Sequence, residues 1–225
     1  HELRTPITGM TLQVQMMQKR LQRGDPSALD LERVSKLVTQ TTQGLQRMNR
    51  LVEDMLDISR IQSGKLALHL EESDLAVVVR DVVERFREQF SNAGIEPTVK
   101  GDVQRIFLPI DRFRIEQVLT NLITNSIRYA PGAPVSISLR EENLEFVEIV
   151  FLDGGPGIPA QHHEKVFQKF ERLVSANEIS GLGLGLYIVR EIIQAHGGTV
   201  KIDPTGAPGA RLVIRLPKRK VSHPS

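Results

Sequence analysis

The chain contains no cysteine, which excludes disulfides and thiolate metal sites and is compatible with a reducing compartment. It has no apolar run near the roughly 18 residues that a membrane-spanning helix needs. It has no signal peptide and no initiator methionine, which predicts a piece of something longer, with any membrane anchor in a segment absent from this chain. Aromatic residues make up only 4%, and no dense basic stripe is interleaved with them, so nucleic acid is not implied. The charge excess is small: 29 Lys and Arg against 27 Asp and Glu leave +2. The sequence pI near 9.0 owes part of its value to the terminal Lys218, Arg219 and Lys220. What remains is ordinary. The 225 residues, 40% apolar and 25% charged, suit one large domain or a domain with an appendage.

Two periodicities divide the chain. Leu3, Ile7, Met10, Val14, Met17 and Leu21 step by alternating fours and threes, as does the series Val34, Val38, Thr41, Leu45, Met48, Val52 and Met55. This is coiled-coil stepping, and the Arg23–Ser27 segment between the two series breaks the helix. The pattern predicts an antiparallel helical hairpin. Two helices enclose no core alone, so either a second copy completes a four-helix bundle or the hairpin packs on the rest of its own chain.

After Gly64 the texture changes. Residues 65–71 alternate like a strand, and residues 75–90 read as a helix with Asp74 as its N-cap. Short β-like runs follow at 98–100 and 105–109. A helix over 111–129 has Ile115, Val118, Leu119, Leu122 and Ile123 on one face. Strands are expected at 135–140, 146–152, 199–203 and 210–216, and an apolar helix at 182–196 closed by Gly197-Gly198. The fold class expected is α+β: a helical hairpin, then an α/β sandwich with a mixed sheet and helices on one face. The domains expected are 1–64, 65–217 and a disordered basic tail, 218–225.

Three constellations carry chemistry. Asn121, Asn125 and Arg128 lie on one stripe of the 111–129 helix, opposite its apolar face, with Tyr129 beside them. A neutral amide oxygen suits Mg²⁺ when phosphates supply other ligands, and Arg128 can hold a phosphate; the plainer alternative is a solvated helix face. Next, an apolar strand runs into Asp153-Gly154-Gly155-Pro156-Gly157-Ile158-Pro159. Asp153 could accept the exocyclic amine of adenine, a charged hydrogen bond worth roughly 1.5–3 kcal/mol, or about ten- to a hundredfold in affinity. Alternatively it caps a tight turn. Third, Gly181-Leu182-Gly183-Leu184-Gly185-Leu186 enters a helix with glycines at alternate positions, which lets backbone N–H groups approach an anion. This run has neither the Rossmann nor the Walker spacing.

In order, spacing and context these segments resemble the histidine-kinase branch of the superfamily that includes gyrase, heat-shock and mismatch-repair ATPases. Residues 1–6 (His-Glu-Leu-Arg-Thr-Pro) resemble its H box, 117–131 its N box, 153–159 and 181–186 its two glycine boxes, and 166–172, with Phe167 and Phe170, its F box. The resemblance implies an ATP-dependent protein histidine kinase, homodimeric through the hairpin, that phosphorylates His1 and passes the phosphoryl group to an aspartate in a response regulator receiver domain. It implies a cytoplasmic location, ATP and Mg²⁺ as cofactors, and a mobile lid between Arg172 and Gly181.

By the same resemblance His1 is the phosphoacceptor and Glu2 the base for its proton. Thr5 places the water of a regulator phosphatase activity, and Asn125 is the Mg²⁺ ligand. Asn121, Arg128, Tyr129, Asp153, Gly155, Gly157, Ile158, Phe170, Arg172, Gly181, Gly183, Leu184, Gly185 and Leu186 surround the nucleotide. Arg128 stands where Lys is commoner, and Leu182 where Thr is frequent. Asn121 replaces the glutamate that activates water in the hydrolysing relatives, so slow basal hydrolysis is expected. A nucleotide-binding scaffold without autophosphorylation and an ATP-hydrolysing clamp are the rival readings. Thr5-Pro6 is also a good N-cap pair, which would start the helix there and leave His1 frayed. His162, His163, His69 and His223 show no ligand spacing. At the helix-end position of His196, a positive ring would suit the dipole.

Overall fold

A computed structural model describes residues 4–25, 30–64, 66–101, 105–173, 182–204 and 209–219, without the side chains of residues 4–6. The chain forms two compact units, His1–Gln62 and Ser63–Ser225.

The first unit is a helical hairpin of α1 (Arg4–Gln22) and α2 (Leu31–Gln62). Gly24, at φ +65°, ends α1. Its N–H donates to the Leu21 carbonyl at 3.0 Å and that of Asp25 to the Arg20 carbonyl at 3.1 Å, the pair of bonds that closes a Schellman turn. Asp30 opens α2 by accepting the Glu32 N–H at 3.3 Å. The stepping seen in sequence separates into two sets. Met10, Met17, Val34, Thr41 and Met48 are half-buried, whereas Ile7, Val14, Leu21, Val38, Leu45 and Val52 are exposed. At Gly44 an added Cβ would lie 2.5 Å from the Met10 sulfur, so the glycine admits the thioether between the helices.

The second unit is built on a five-stranded mixed sheet in the order β2 (Pro97–Lys100), β4 (Val135–Glu141), β5 (Phe146–Asp153), β7 (Ala210–Pro217), β6 (Thr199–Ile202). β2 and β4 run parallel, and the other neighbours antiparallel. A separate antiparallel pair joins β1 (Glu71–Asp74) to β3 (Phe107–Ile110). Helices α3 (Leu75–Arg85), α5 (Arg112–Tyr129) and α6 (Gly185–Ala195) cover the sheet face bearing Val135, Ile137, Leu139, Ile149, Phe151 and Ile214, all buried.

The α+β architecture agrees with the sequence reading, and four local expectations are corrected. The first strand lies at Glu71–Asp74 rather than 65–71. Asp74 ends it and its Oδ1 also accepts the N–H groups of Ala76 at 3.0 Å and Ile106 at 3.1 Å. The helix expected over 75–90 breaks at Phe86, with α4 (Arg87–Asn92) following; the Phe86 and Phe90 rings meet edge-on at 6.5 Å. Lys218 is anchored, its N–H on the Glu145 carbonyl at 2.8 Å and its Nζ 3.0 Å from Glu141; residues 220–225 lie outside the described residues. His196 is buried, 7% exposed. Its Nε2 accepts the Asp111 N–H at 3.0 Å and its Nδ1–H donates to the Ile192 carbonyl at 2.8 Å. Burial pushes its pKa down, against the Ile192 bond and the Asp111 charge, so the ring is a neutral latch and not a cation on the helix dipole. Asp111 completes the latch, its Oδ1 capping α5 at the Arg114 N–H (3.1 Å) and its Oδ2 accepting the His69 N–H (3.0 Å).

Candidate active site

Helix α5 buries Ile115, Val118, Leu119, Leu122 and Ile123 and so turns its polar stripe away from the core. Along that stripe Asn121 and Asn125 are half-buried, Tyr129 is half-buried and Arg128 is exposed. The N-terminus of α6 faces the two asparagines. Asn121 Nδ2 donates to the Gly185 carbonyl at 3.4 Å. A Cβ on Gly185 would point at Asn121 Cγ (3.8 Å) and Asn125 Nδ2 (3.9 Å). The missing side chain therefore leaves open the space between a helix N-terminus and two amides, which suits an anion together with a cation that takes neutral oxygen ligands.

Asp153 ends β5, next to α5. Its Oδ1 accepts the N–H groups of Gly155 at 3.1 Å and Ala210 at 3.3 Å. Its Oδ2 lies 3.3 Å from the Ser126 hydroxyl, which is also 3.2 Å from the Leu122 carbonyl. The loop after Asp153 is close-packed. An added Cβ on Gly155 would lie 2.5 Å from Ala130 Cβ, and one on Gly157, at φ +75°, 3.0 Å from the Gly209 carbonyl oxygen. At Gly209, φ +99°, a Cβ would overlap the Asp153 carbonyl oxygen. The His163 ring is 2.8 Å from the Ile158 carbonyl through Nε2, so with Nε2 protonated it pins the far end of this loop.

The 166–172 segment is strapped to α6 by two crossed cation–π contacts. Lys169 lies 4.9 Å from the Tyr187 ring, and Arg190 5.9 Å from the Phe167 ring. Phe170 is the one non-glycine residue among those described with positive φ, at 65°, a conformation costing roughly 1–2 kcal/mol. It is exposed, and its N–H donates to the Gly183 carbonyl at 3.1 Å. Gly183, at φ +68°, passes so close that a Cβ would be 2.6 Å from the Glu171 carbonyl oxygen. That left-handed glycine delays the start of α6 to Gly185, three residues later than expected. Leu184 is buried, and Leu186 and Arg172 are half-buried.

The structure thus brings Asn121, Asn125 and Gly185 together, joins Asp153, Gly155, Gly157 and Ile158 in one loop, and sets Phe170 against Gly183. His1, Glu2 and Gly181 lie outside the described residues. Thr5 belongs to α1, but its side chain is outside them too. Sequence reasoning missed Ser126, His163, Gly209 and Ala210. Gly209 had a weak signal as a glycine just before a strand; the other three had none.

Residues 1–64 match the His Kinase A (phospho-acceptor) domain. Residues 110–220 match the histidine kinase-, DNA gyrase B-, and HSP90-like ATPase domain. The solved structure of the histidine kinase AdeS from Acinetobacter baumannii is 30% identical, at a TM-score of 0.69, with 97% of this chain and 98% of that one covered. The chain belongs to the sensor histidine kinases. A curated relative in this family, the signal transduction histidine-protein kinase/phosphatase MprB of Mycobacterium tuberculosis (strain ATCC 25618 / H37Rv), is 32% identical over 231 residues, 100% of this chain and 44% of that protein. The solved structure of the histidine kinase ThkA in complex with the response regulator protein TrrA is 26% identical, at a TM-score of 0.68, over 97% of this chain and 59% of that one. The kinase chain spans about half the length of the curated relatives it matches. Among its described residues no helix is long and apolar enough to cross a membrane.

Proposed function

We propose that this chain is the catalytic core of an ATP-dependent protein histidine kinase, with residues 1–64 as the dimerisation and phosphotransfer hairpin and the unit after it as the ATP-binding domain. The observation that carries the reading is the convergence of α5, the end of β5 and the start of α6. Two amides, a held carboxylate and a helix N-terminus stand where phosphate, metal and adenine can be met at once.

In this reading Asp153 accepts the adenine amine, with Tyr129, Gly155, Gly157 and Ile158 around the base. The α6 N-terminus, Gly183, Leu184, Gly185, Leu186 and the outer residues Arg128, Arg172 and Gly181 receive the phosphates, and Phe170 holds the segment leading to the lid. Mg²⁺ would be held by Asn125 and would neutralise charge on the phosphate oxygens. A ring nitrogen of His1 attacks the γ-phosphorus, the bond to the bridging oxygen breaks, ADP leaves with that electron pair, and Glu2 takes the imidazole proton. The attack requires the neutral imidazole, whose ring nitrogen keeps a free lone pair. The amide of Asn121 cannot act as a base, so ATP waits for a histidine rather than for water. The phosphoryl group then passes to an aspartate of a response regulator, in line with the ThkA–TrrA pairing, and Thr5 places the water that hydrolyses that aspartyl phosphate and releases inorganic phosphate, in line with the kinase/phosphatase name of MprB. The exposed seam of the hairpin would meet a second copy. The location proposed is cytoplasmic, with any membrane anchor elsewhere in the parent protein.

Incubation with γ-labelled ATP tests this. An acid-labile, base-stable phosphoprotein is expected, absent in His1→Gln and in Asn125→Ala. Label that persists in His1→Gln, or rapid multiple-turnover hydrolysis, overturns the reading.

A further inference from the structure

Ser126 lies on α5 directly after Asn125 and is 1% exposed. A hydroxyl buried that deeply is costly unless a partner receives it. Two acceptors are in range, the Leu122 carbonyl at 3.2 Å and Asp153 Oδ2 at 3.3 Å, and the hydroxyl has one proton. The Leu122 carbonyl sits one helical turn back, where the Ser126 N–H already serves it. The carboxylate is charged, and hydrogen bonds to ionised acceptors are roughly twice as strong as neutral ones. The proton therefore goes to Asp153.

The consequence follows from counting acceptor sites. A carboxylate offers about four. Gly155 and Ala210 take two on Oδ1, and Ser126 takes one on Oδ2. One site on Oδ2 remains, on a residue that is only half-buried. We infer that Ser126 is the positioning residue that sets the base preference of the nucleotide site, by fixing the orientation of the Asp153 carboxylate so that its last lone pair is aimed at an exocyclic amine. This rests on the reading of Asp153 as the adenine acceptor. Without the hydroxyl, Oδ2 loses its only protein donor among the described residues. The carboxylate can then turn, which lets a base without the 6-amino group bind with less penalty.

The test is a cycle between the side chain and the ligand group. Dissociation constants for ATP and for purine riboside triphosphate, which lacks the 6-amino group, are measured by calorimetry on the wild-type chain, S126A and S126C, with thermal midpoints recorded alongside. The wild type is expected to lose ~10-fold in affinity on removal of the amine, the lower end for a charged hydrogen bond. In S126A the loss should shrink to ~2–3-fold, with ATP itself bound more weakly. S126C, of similar volume and with a weak donor, should fall between them, and it carries the test should S126A fail to fold. A purely structural serine would weaken both nucleotides alike. An amine penalty in the folded variants equal to that of the wild type overturns the inference alone. A wild-type chain that binds both nucleotides equally overturns the reading of Asp153 and this inference with it.

Discussion

Gly209→Ala probes how closely the loop around Asp153 is built. The residue has φ +99°, and a Cβ there would meet main chain only: it would overlap the Asp153 carbonyl oxygen and lie 2.7 Å from the Asp153 carbonyl carbon and 2.9 Å from Gly154 Cα. None of these atoms belongs to a side chain that can swing aside, so the end of β5 and the start of β7 must separate. That separation breaks the Ala210–Asp153 bond, a charge-assisted contact worth roughly 1.5–3 kcal/mol, in addition to a backbone penalty of roughly 1–2 kcal/mol for a side chain at positive φ. The total is ~3–5 kcal/mol. For a folded unit of this size each kcal/mol moves the thermal midpoint by roughly 2–4 °C, so a fall of ~10 °C is expected, with ATP affinity reduced more than tenfold. Gly132→Ala is the internal control: φ is +76°, yet nothing lies within 4 Å of its added Cβ. It should lose only the backbone penalty, a few degrees, and bind ATP normally. Both variants are read by circular dichroism melts and nucleotide titration. Equal midpoints for the two would refute the argument that main-chain overlap at Gly209 sets the site.

Three further outcomes are expected. The folded pKa of His196 is depressed below its ordinary 6.5, so the unfolded chain binds the proton more readily. The latch contribution is complete above pH ~6.5 and is lost as pH falls toward the folded value; the urea midpoint should drop between pH 7.5 and 5.5 and flatten in His196→Gln, and an unchanged slope in that variant refutes the latch. In the hairpin, Leu45→Asp places a charge on a seam residue that is 51% exposed in the single chain; light scattering should show dimer giving way to monomer, and a variant as dimeric as the wild type contradicts the proposed bundle. Thr5→Ala should leave autophosphorylation within about twofold while slowing release of phosphate from the regulator about tenfold or more, the scale of one hydrogen-bonded water-placing group; equal loss of both activities argues against that division.

The elements that could be read from the sequence were those with a local cause. α5 begins at Arg112, one residue inside the expected 111–129, because Asp111 caps it by holding the Arg114 N–H at short range, and the sheet strands lie within a residue or two of their expected bounds. The departures have local causes of another kind. Asp74 is shared between a strand end and a helix cap, which moved β1, and Gly183 at positive φ held back the start of α6. Hairpin stepping was visible, but not which half of the seam stays exposed, since both halves are equally apolar.

Spacing along the chain decided what depends on neighbours within one turn or one strand: the hairpin, the apolar face of α5, the polar stripe behind it and the glycine-rich helix entry. Beyond the local bond from Gly155, tertiary structure decided how Asp153 is held. Its partners Ser126 and Ala210 lie 27 and 57 residues away and carry no pattern of their own, because a buried serine and a backbone N–H acquire meaning only from what the fold sets beside them. The same holds for His196, which reads as a helix-end residue until Asp111, 85 residues earlier, donates to it and fixes the ring as neutral.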